Sequence, residues 1–113
     1  KLKVMIWKRL KKVRIIRLNI KVYKEICKKA VEHYGEEAQK KQTIEECSEL
    51  IQALCKDFRN KEHNVEEEIA DVMIMLEQLT NIYDMEEIDK WLGTKIDRLN
   101  RHMDEAKHWK KIF

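Results

Sequence analysis

Two short acidic stretches, "EECSEL" (residues 45–50) and "EEIAD" (67–71), hold the residues most able to do chemistry. Glu46 and Glu49 are three apart in the first, and Glu68 and Asp71 three apart in the second, with eighteen residues between the pairs. Side chains three apart on a helix share a face, and like charges there repel by roughly 0.2–0.5 kcal/mol per pair. Such crowding is tolerable as a solvated surface, or useful as a seat for a cation. Hard carboxylate oxygens select Mg²⁺ or Mn²⁺, and the lack of paired histidines and cysteines disfavours zinc. One E-x-x-E alone carries little weight, because 21 acids in 113 residues give about four acidic pairs at that spacing by chance. Local alternatives also stand: Thr43 with Glu46 reads as a capping box, and Glu66 to Glu68 as acids favouring a positive helix end.

Helices must position these acids. Apolar residues recur mostly at helical spacing, there is no proline, and Gly35 and Gly93 are the only glycines, so the chain reads as all-α. A first body helix is expected from about Asn19 to Tyr34, with Tyr23, Ile26, Cys27, Ala30, Val31 and Tyr34 on one face, ending at Gly35. A second is expected over 36–58, roughly 34 Å long at 1.5 Å per residue. Its core stripe is Ile44, Cys47, Ile51, Leu54, Cys55 and Phe58, and Gln39, Gln42, Glu46, Glu49 and Ala53 share another face, while Glu45 projects elsewhere. "RNKEHN" reads as a loop, and Asn64 with Glu67 as the N-cap and N3 pair of a third helix. Val65, Ile69, Val72, Leu76 and Leu79 form its apolar face, with Glu68 and Asp71 at the edge. A fourth helix, capped by Asp84, carries Ile88, Trp91, Leu92, Ile96, Leu99 and Met103, flanked by Lys95, Arg98 and Arg101.

Two long helices joined by a short loop pack antiparallel, which would bring Glu46, Glu49, Glu68 and Asp71 together. Four carboxylates at a buried edge repel one another unless a cation is bound.

The length suits one domain whose small core is often completed by oligomerisation. Charge is uneven: residues 1–20 carry eight Lys/Arg and no acid, and the other 93 residues carry a net charge of −5. That basic arm, with Leu2, Met5, Ile6, Leu10, Val13, Ile16 and Ile20 at helical spacing, reads as a nucleic-acid or membrane-surface contact. It also reads as an extra packing helix, or as sequence upstream of a natural start, since the first residue is Lys1. Cys27, Cys47 and Cys55 form no C-x-x-C pair and are expected to be reduced core thiols. No apolar run approaches the roughly 20 residues of a membrane span, and a cytoplasmic location is expected. The organisation expected is a basic extension over 1–18, a domain over 19–104 and a tail over 105–113.

"YGEEAQKKQTIEECSELIQAL" followed by "VEEEIADVMIML" resembles the MazG-like branch of the all-α nucleoside triphosphate pyrophosphohydrolases, whose signature is E-x-x-E, a spacer, then E-x-x-D. The resemblance spans about residues 20–103. It implies a four-helix bundle, with the basic arm outside it, assembling as homodimers or homotetramers. It also implies Mg²⁺-dependent hydrolysis of a nucleoside triphosphate to the monophosphate and pyrophosphate. Carried over by position, Glu46, Glu49, Glu68 and Asp71 become metal ligands, and Glu45 an acid that assists the attacking water or tunes the field. Lys95 and Arg98 become holders of phosphate oxygens.

Phosphoribosyl-ATP pyrophosphohydrolases and dimeric dUTPases share the scaffold and a similar acid pattern. A di-iron bundle needs two E-x-x-H elements, and only Glu105 with His108 fits; His33, His63 and His102 read as surface or loop residues. A non-enzymatic helical protein, binding nucleic acid or a partner through its basic arm, is the remaining alternative.

Overall fold

The computed structural model describes the backbone of residues 19–112 and the side chains of residues 19–106. The basic arm of residues 1–18 lies outside the described residues. Four helices and no strand are present among them: α1 (Ile20–Tyr34), α2 (Glu36–Phe58), α3 (Val65–Leu79) and α4 (Met85–Ile112). They fall into two compact units that divide between Ile82 and Tyr83.

In the first unit, local chemistry sets the helix ends. The Asn19 side-chain oxygen accepts from the Val22 N–H at 3.3 Å and starts α1. Gly35 separates α1 from α2 at φ +93° and ψ 153°, a region essentially open to glycine alone. Its N–H closes α1 by donating to the Val31 carbonyl at 2.8 Å. A Cβ at Gly35 would meet no atom within 4 Å, so Gly35→Ala is opposed by backbone conformation only. It is expected to destabilise by about 1–3 kcal/mol, read as a lower urea midpoint with an unchanged slope.

Helices α2 and α3 pack along each other, and α1 lies against both. The pairing is antiparallel: Gln39 near the start of α2 donates to the Gln78 side chain near the end of α3, and the 59–64 loop joins the opposite ends. His63 braces that loop, its Nε2 3.2 Å from Asp57 and its Nδ1 accepting from the Val65 N–H at 3.3 Å. Helix α1 is tied to α3 by the Tyr23 hydroxyl, which donates to the Met73 carbonyl at 3.3 Å. Its Cys27 is buried, and burial pushes the thiol pKa up, with Glu77 adding to the effect. A thiol held in its protonated form is a poor nucleophile.

The core differs from the expected one in which faces it uses. Its buried residues are Cys27, Val31, Ala53 and Met75, joined by the polar Gln39, Thr43, Glu68 and Gln78. On α2 the face turned inward is the polar one; Ile44, Ile51, Leu54 and Phe58 are exposed, as is Cys55, and Cys47 is half-buried. Ile26 and Tyr34 of α1, and Ile69 and Leu76 of α3, are likewise exposed. Gln39, Gln78 and Thr43 can line this contact because each has a hydrogen-bond partner there. Thr43, for example, is no helix cap but bonds back to the Gln39 carbonyl at 2.7 Å within α2.

The second unit is built on α4. Asp84 caps it, its Oδ1 accepting from the N–H groups of Glu86 at 2.9 Å and Glu87 at 3.4 Å. The helix continues through 105–112, the stretch expected to be a tail. Ile88 is half-buried, and Trp91, Leu92, Ile96, Leu99 and Met103 are exposed.

A candidate metal centre between two helices

The antiparallel contact of α2 and α3 places Glu46 opposite Glu68 and Asp71. Each of the three offers a carboxylate oxygen, and these oxygens all lie within 4.8 Å of one another. Glu68 is buried, with 7% of its surface exposed, and Glu46 and Asp71 are half-buried. Glu68 also sits in the first turn of α3 with Glu66 and Glu67, where the helix dipole favours negative charge.

Both glutamates are held in the same way. Gln42 Nε2 donates to Glu46 Oε1 at 2.8 Å, and Asn64 Nδ2 donates to Glu68 Oε1 at 2.8 Å. Each amide therefore fixes one oxygen of its acid from four residues upstream. The other oxygens, Oε2 of Glu46 and Oε2 of Glu68, are buried and have no hydrogen-bond partner. A buried carboxylate oxygen without a partner is costly. The ion pairs of Lys41 with Glu37, His63 with Asp57 and Arg101 with Asp97 all lie elsewhere.

Repulsion within the cluster shows in two of its members. The Glu49 carboxyl has its pKa raised, chiefly by the neighbouring Glu46 charge, then by partial burial and by Glu68; a hydrogen bond with Glu46 and the Glu45 charge add to this. The Asp71 pKa is raised chiefly by burial, then by Glu46, Glu68 and Glu67. Hard oxygen donors, clustered within 4.8 Å of one another on residues that carry two orphaned oxygens, fit Mg²⁺ or Mn²⁺. A bound divalent ion would satisfy the orphaned atoms and offset the mutual repulsion.

The structure thus brings Glu46, Glu68 and Asp71 together and sets Glu49 at their half-buried edge. Glu45 is exposed on another side of α2, its carbonyl accepting from the Ser48 hydroxyl at 2.8 Å. Lys95 and Arg98 are exposed on α4, with Lys95 Nζ 6.0 Å from the Trp91 ring centroid.

Asn64 corrects the reading from sequence. It precedes α3, but its side chain makes no cap hydrogen bond and orients Glu68 instead. The signal for this lies in the sequence: an amide, three residues, a glutamate, two residues and a second acid occur as Gln42–Glu46–Glu49 and again as Asn64–Glu68–Asp71. Asn64→Ala is expected to weaken divalent-ion binding 10–100-fold, the usual range for loss of a group that orients a ligand. The metal-free melting temperature should barely move, and titration calorimetry with Mn²⁺ beside a thermal melt separates the two effects.

An all-α scaffold with paired acids on adjacent antiparallel helices defines a carboxylate-rich helical protein equipped to hold a divalent cation. The family profile described as "MazG nucleotide pyrophosphohydrolase domain" matches residues 34–103, which include all four acids. The chain belongs to that family, and its fold is the all-α MazG type. Neither the curated proteins nor the solved structures compared with the chain include a match. No helix of the described residues is long and apolar enough to cross a membrane.

Proposed function

We propose that this chain is a Mg²⁺-dependent nucleoside triphosphate pyrophosphohydrolase, converting a (d)NTP to the (d)NMP and pyrophosphate, with Mn²⁺ as a substitute ion. Housekeeping of the nucleotide pool in the cytoplasm is the role this suits. The observation that carries the reading is the pair of buried, unpartnered oxygens on Glu46 and Glu68, in a cluster that carboxylates of α2 and α3 form with Asp71 in a chain of the pyrophosphohydrolase family.

Glu46, Glu68 and Asp71 hold the ion, and Glu49 completes the set from the edge. When bound, Mg²⁺ supplies positive charge against the triphosphate and makes a nearby water more acidic. The water oxygen forms a bond to the α-phosphorus, the bridging bond to the β-phosphate breaks, and pyrophosphate leaves. Glu49, whose carboxyl pKa is raised chiefly by the neighbouring Glu46 charge, takes the proton that the water loses. Glu45 adds negative field from outside this set. Without positive charge a triphosphate and an acidic cluster repel, and the ion is what removes that repulsion.

The test is a screen of canonical and modified (d)NTPs with Mg²⁺, read as pyrophosphate release and repeated with chelator. At least one triphosphate should yield pyrophosphate, and chelator should abolish the release. If none does, the non-enzymatic reading gains, and it predicts nucleic-acid binding that falls steeply with salt and disappears on deletion of residues 1–18.

A further inference from the structure

Two of the helices start on an asparagine, and the two asparagines act differently. Asn19 caps α1, its Oδ1 accepting from the Val22 N–H at 3.3 Å. Asn64 stands in the same place before α3, with backbone angles close to those of Asn19 (φ −128° and ψ 44°, against φ −100° and ψ 62°). Yet it makes no side-chain cap and donates through Nδ2 to Glu68 Oε1 at 2.8 Å. Backbone conformation therefore does not decide between the two roles.

The residue before each asparagine does differ. Leu18 precedes Asn19 and has no polar side chain. His63 precedes Asn64, and its Nδ1 accepts from the Val65 N–H at 3.3 Å. Val65 opens α3, so the ring serves one of the donors that a helix start leaves without a partner, and it does so from across Asn64. A backbone N–H only donates, so Nδ1 carries no proton and the hydrogen of the neutral ring lies on Nε2. That atom stands 3.2 Å from Asp57 Oδ1 in the last turn of α2. The same turn is closed by the Asn60 N–H on the Asp57 carbonyl and the Lys61 N–H on the Lys56 carbonyl, both at 2.9 Å. The ring thus ties the end of α2 to the start of α3, and the backbone on both sides of Asn64 is held. Of the pair, the ring is the more sheltered, with 27% of its side chain exposed against 59% for Asp57.

We propose that His63 is a positioning residue for the cluster of Glu46, Glu68 and Asp71, a role that rests on that cluster's being a divalent-ion site. By taking a first-turn donor of α3 and bridging Asn64, the ring frees the Asn64 amide to hold Glu68. Without the ring, an asparagine before a helix turns its oxygen to the N–H groups of the first turn, as Asn19 does. Its amide then leaves Glu68, and the most enclosed carboxylate of the cluster loses the hydrogen bond that fixes its Oε1. Groups of this kind, which touch a ligand's side chain rather than the ion, act on ion affinity by holding the ligand in place.

Variants of the full chain test this by Mn²⁺ titration calorimetry and by the Asn64 side-chain NH₂ signals of the metal-free protein in ¹⁵N NMR. His63→Ala is expected to weaken Mn²⁺ binding about 5–50-fold, within the loss set by Asn64→Ala, because it acts through that residue. The NH₂ signals should shift as the amide leaves Glu68. His63→Asn should bind within about twofold of wild type, since an asparagine side chain bonds its own backbone two residues on, as the ring does. When His63→Ala is combined with Asn64→Ala, the loss should equal that of Asn64→Ala alone. If His63→Ala loses its helical circular dichroism, Asp57→Asn is the milder variant, expected to move the NH₂ signals the same way with a smaller loss of affinity. Losses that add in the double variant, or NH₂ signals unmoved by the substitutions, would leave His63 a brace of the loop only and overturn the proposal. Wild type and His63→Ala binding Mn²⁺ equally would overturn the His63 role alone, whereas a wild-type chain that takes up no Mn²⁺ would overturn the metal reading and this role with it.

Discussion

Glu68→Gln is expected to lower Mg²⁺-dependent pyrophosphate release on the order of 10³-fold or more, the scale on which a single preorganised electrostatic group acts. Glu68 is the most enclosed of the four acids, and its Oε2 is one of the two unpartnered oxygens. The substitution keeps the shape and the Asn64 neighbour but removes the charge that a hard cation needs. The same change should raise the melting temperature of the metal-free protein. One negative charge leaves a cluster in which Glu46 and Glu68 already push the Glu49 and Asp71 carboxyls toward their protonated forms, and the new amide can donate to either neighbour. Lost activity with gained stability is the signature of a site strained for function. If the acids were only solvated surface, turnover would survive Glu68→Gln and stability would hardly change. Surviving turnover would end the metal-site assignment.

The sequence displays the acids and the helices that hold them more clearly than it displays the core. The 36–58 span of α2 is legible because Gly35 precedes it and turn residues follow Phe58. The meeting of Glu46 with Glu68 and Asp71 is legible because a short loop forces neighbouring helices antiparallel. The inward face of α2 is not legible by the same reasoning. Periodicity favours the most apolar line, Ile44–Ile51–Phe58, yet the face turned toward α3 holds Gln39, Thr43, Glu46 and Ala53. Two requirements compete for one helix: the contact that builds the site needs oxygens and small side chains, and the apolar line is left exposed. A single-chain reading of hydrophobicity has no means of separating these. Asn64 does stand at the N-cap position of α3, where an asparagine usually caps with its side chain, but Glu68 one turn later draws its amide away and no cap hydrogen bond forms.

Adding Mg²⁺ at about 100 times its Kd should stabilise the folded chain by about 2.7 kcal/mol near neutral pH, since the site exists only when α2 and α3 are packed. The size of this effect should depend on pH with a definite sign. In the metal-free chain the Glu49 and Asp71 carboxyls have pKa values above their ordinary 4.5 and 3.8. Between the ordinary and the raised values the folded chain therefore holds protons that the unfolded chain has released. Stability without metal is then highest at the acidic side of that window, falls as pH rises through it, and levels off above the raised values. Bound Mg²⁺ requires the ionised carboxylates, so protons and metal compete for the same oxygens. The metal-induced gain should be absent near the ordinary carboxylate pKa values and should grow as pH rises to a plateau. Thermal melts from about pH 4 to pH 8, with chelator and with Mg²⁺, test this directly. Two curves that run parallel, or a gain larger in acid than at neutrality, would show that these carboxylates do not receive the ion. Asp71→Asn should flatten the metal-free curve over its part of the window and shrink the gap between the curves, because it removes a proton site and a ligand together.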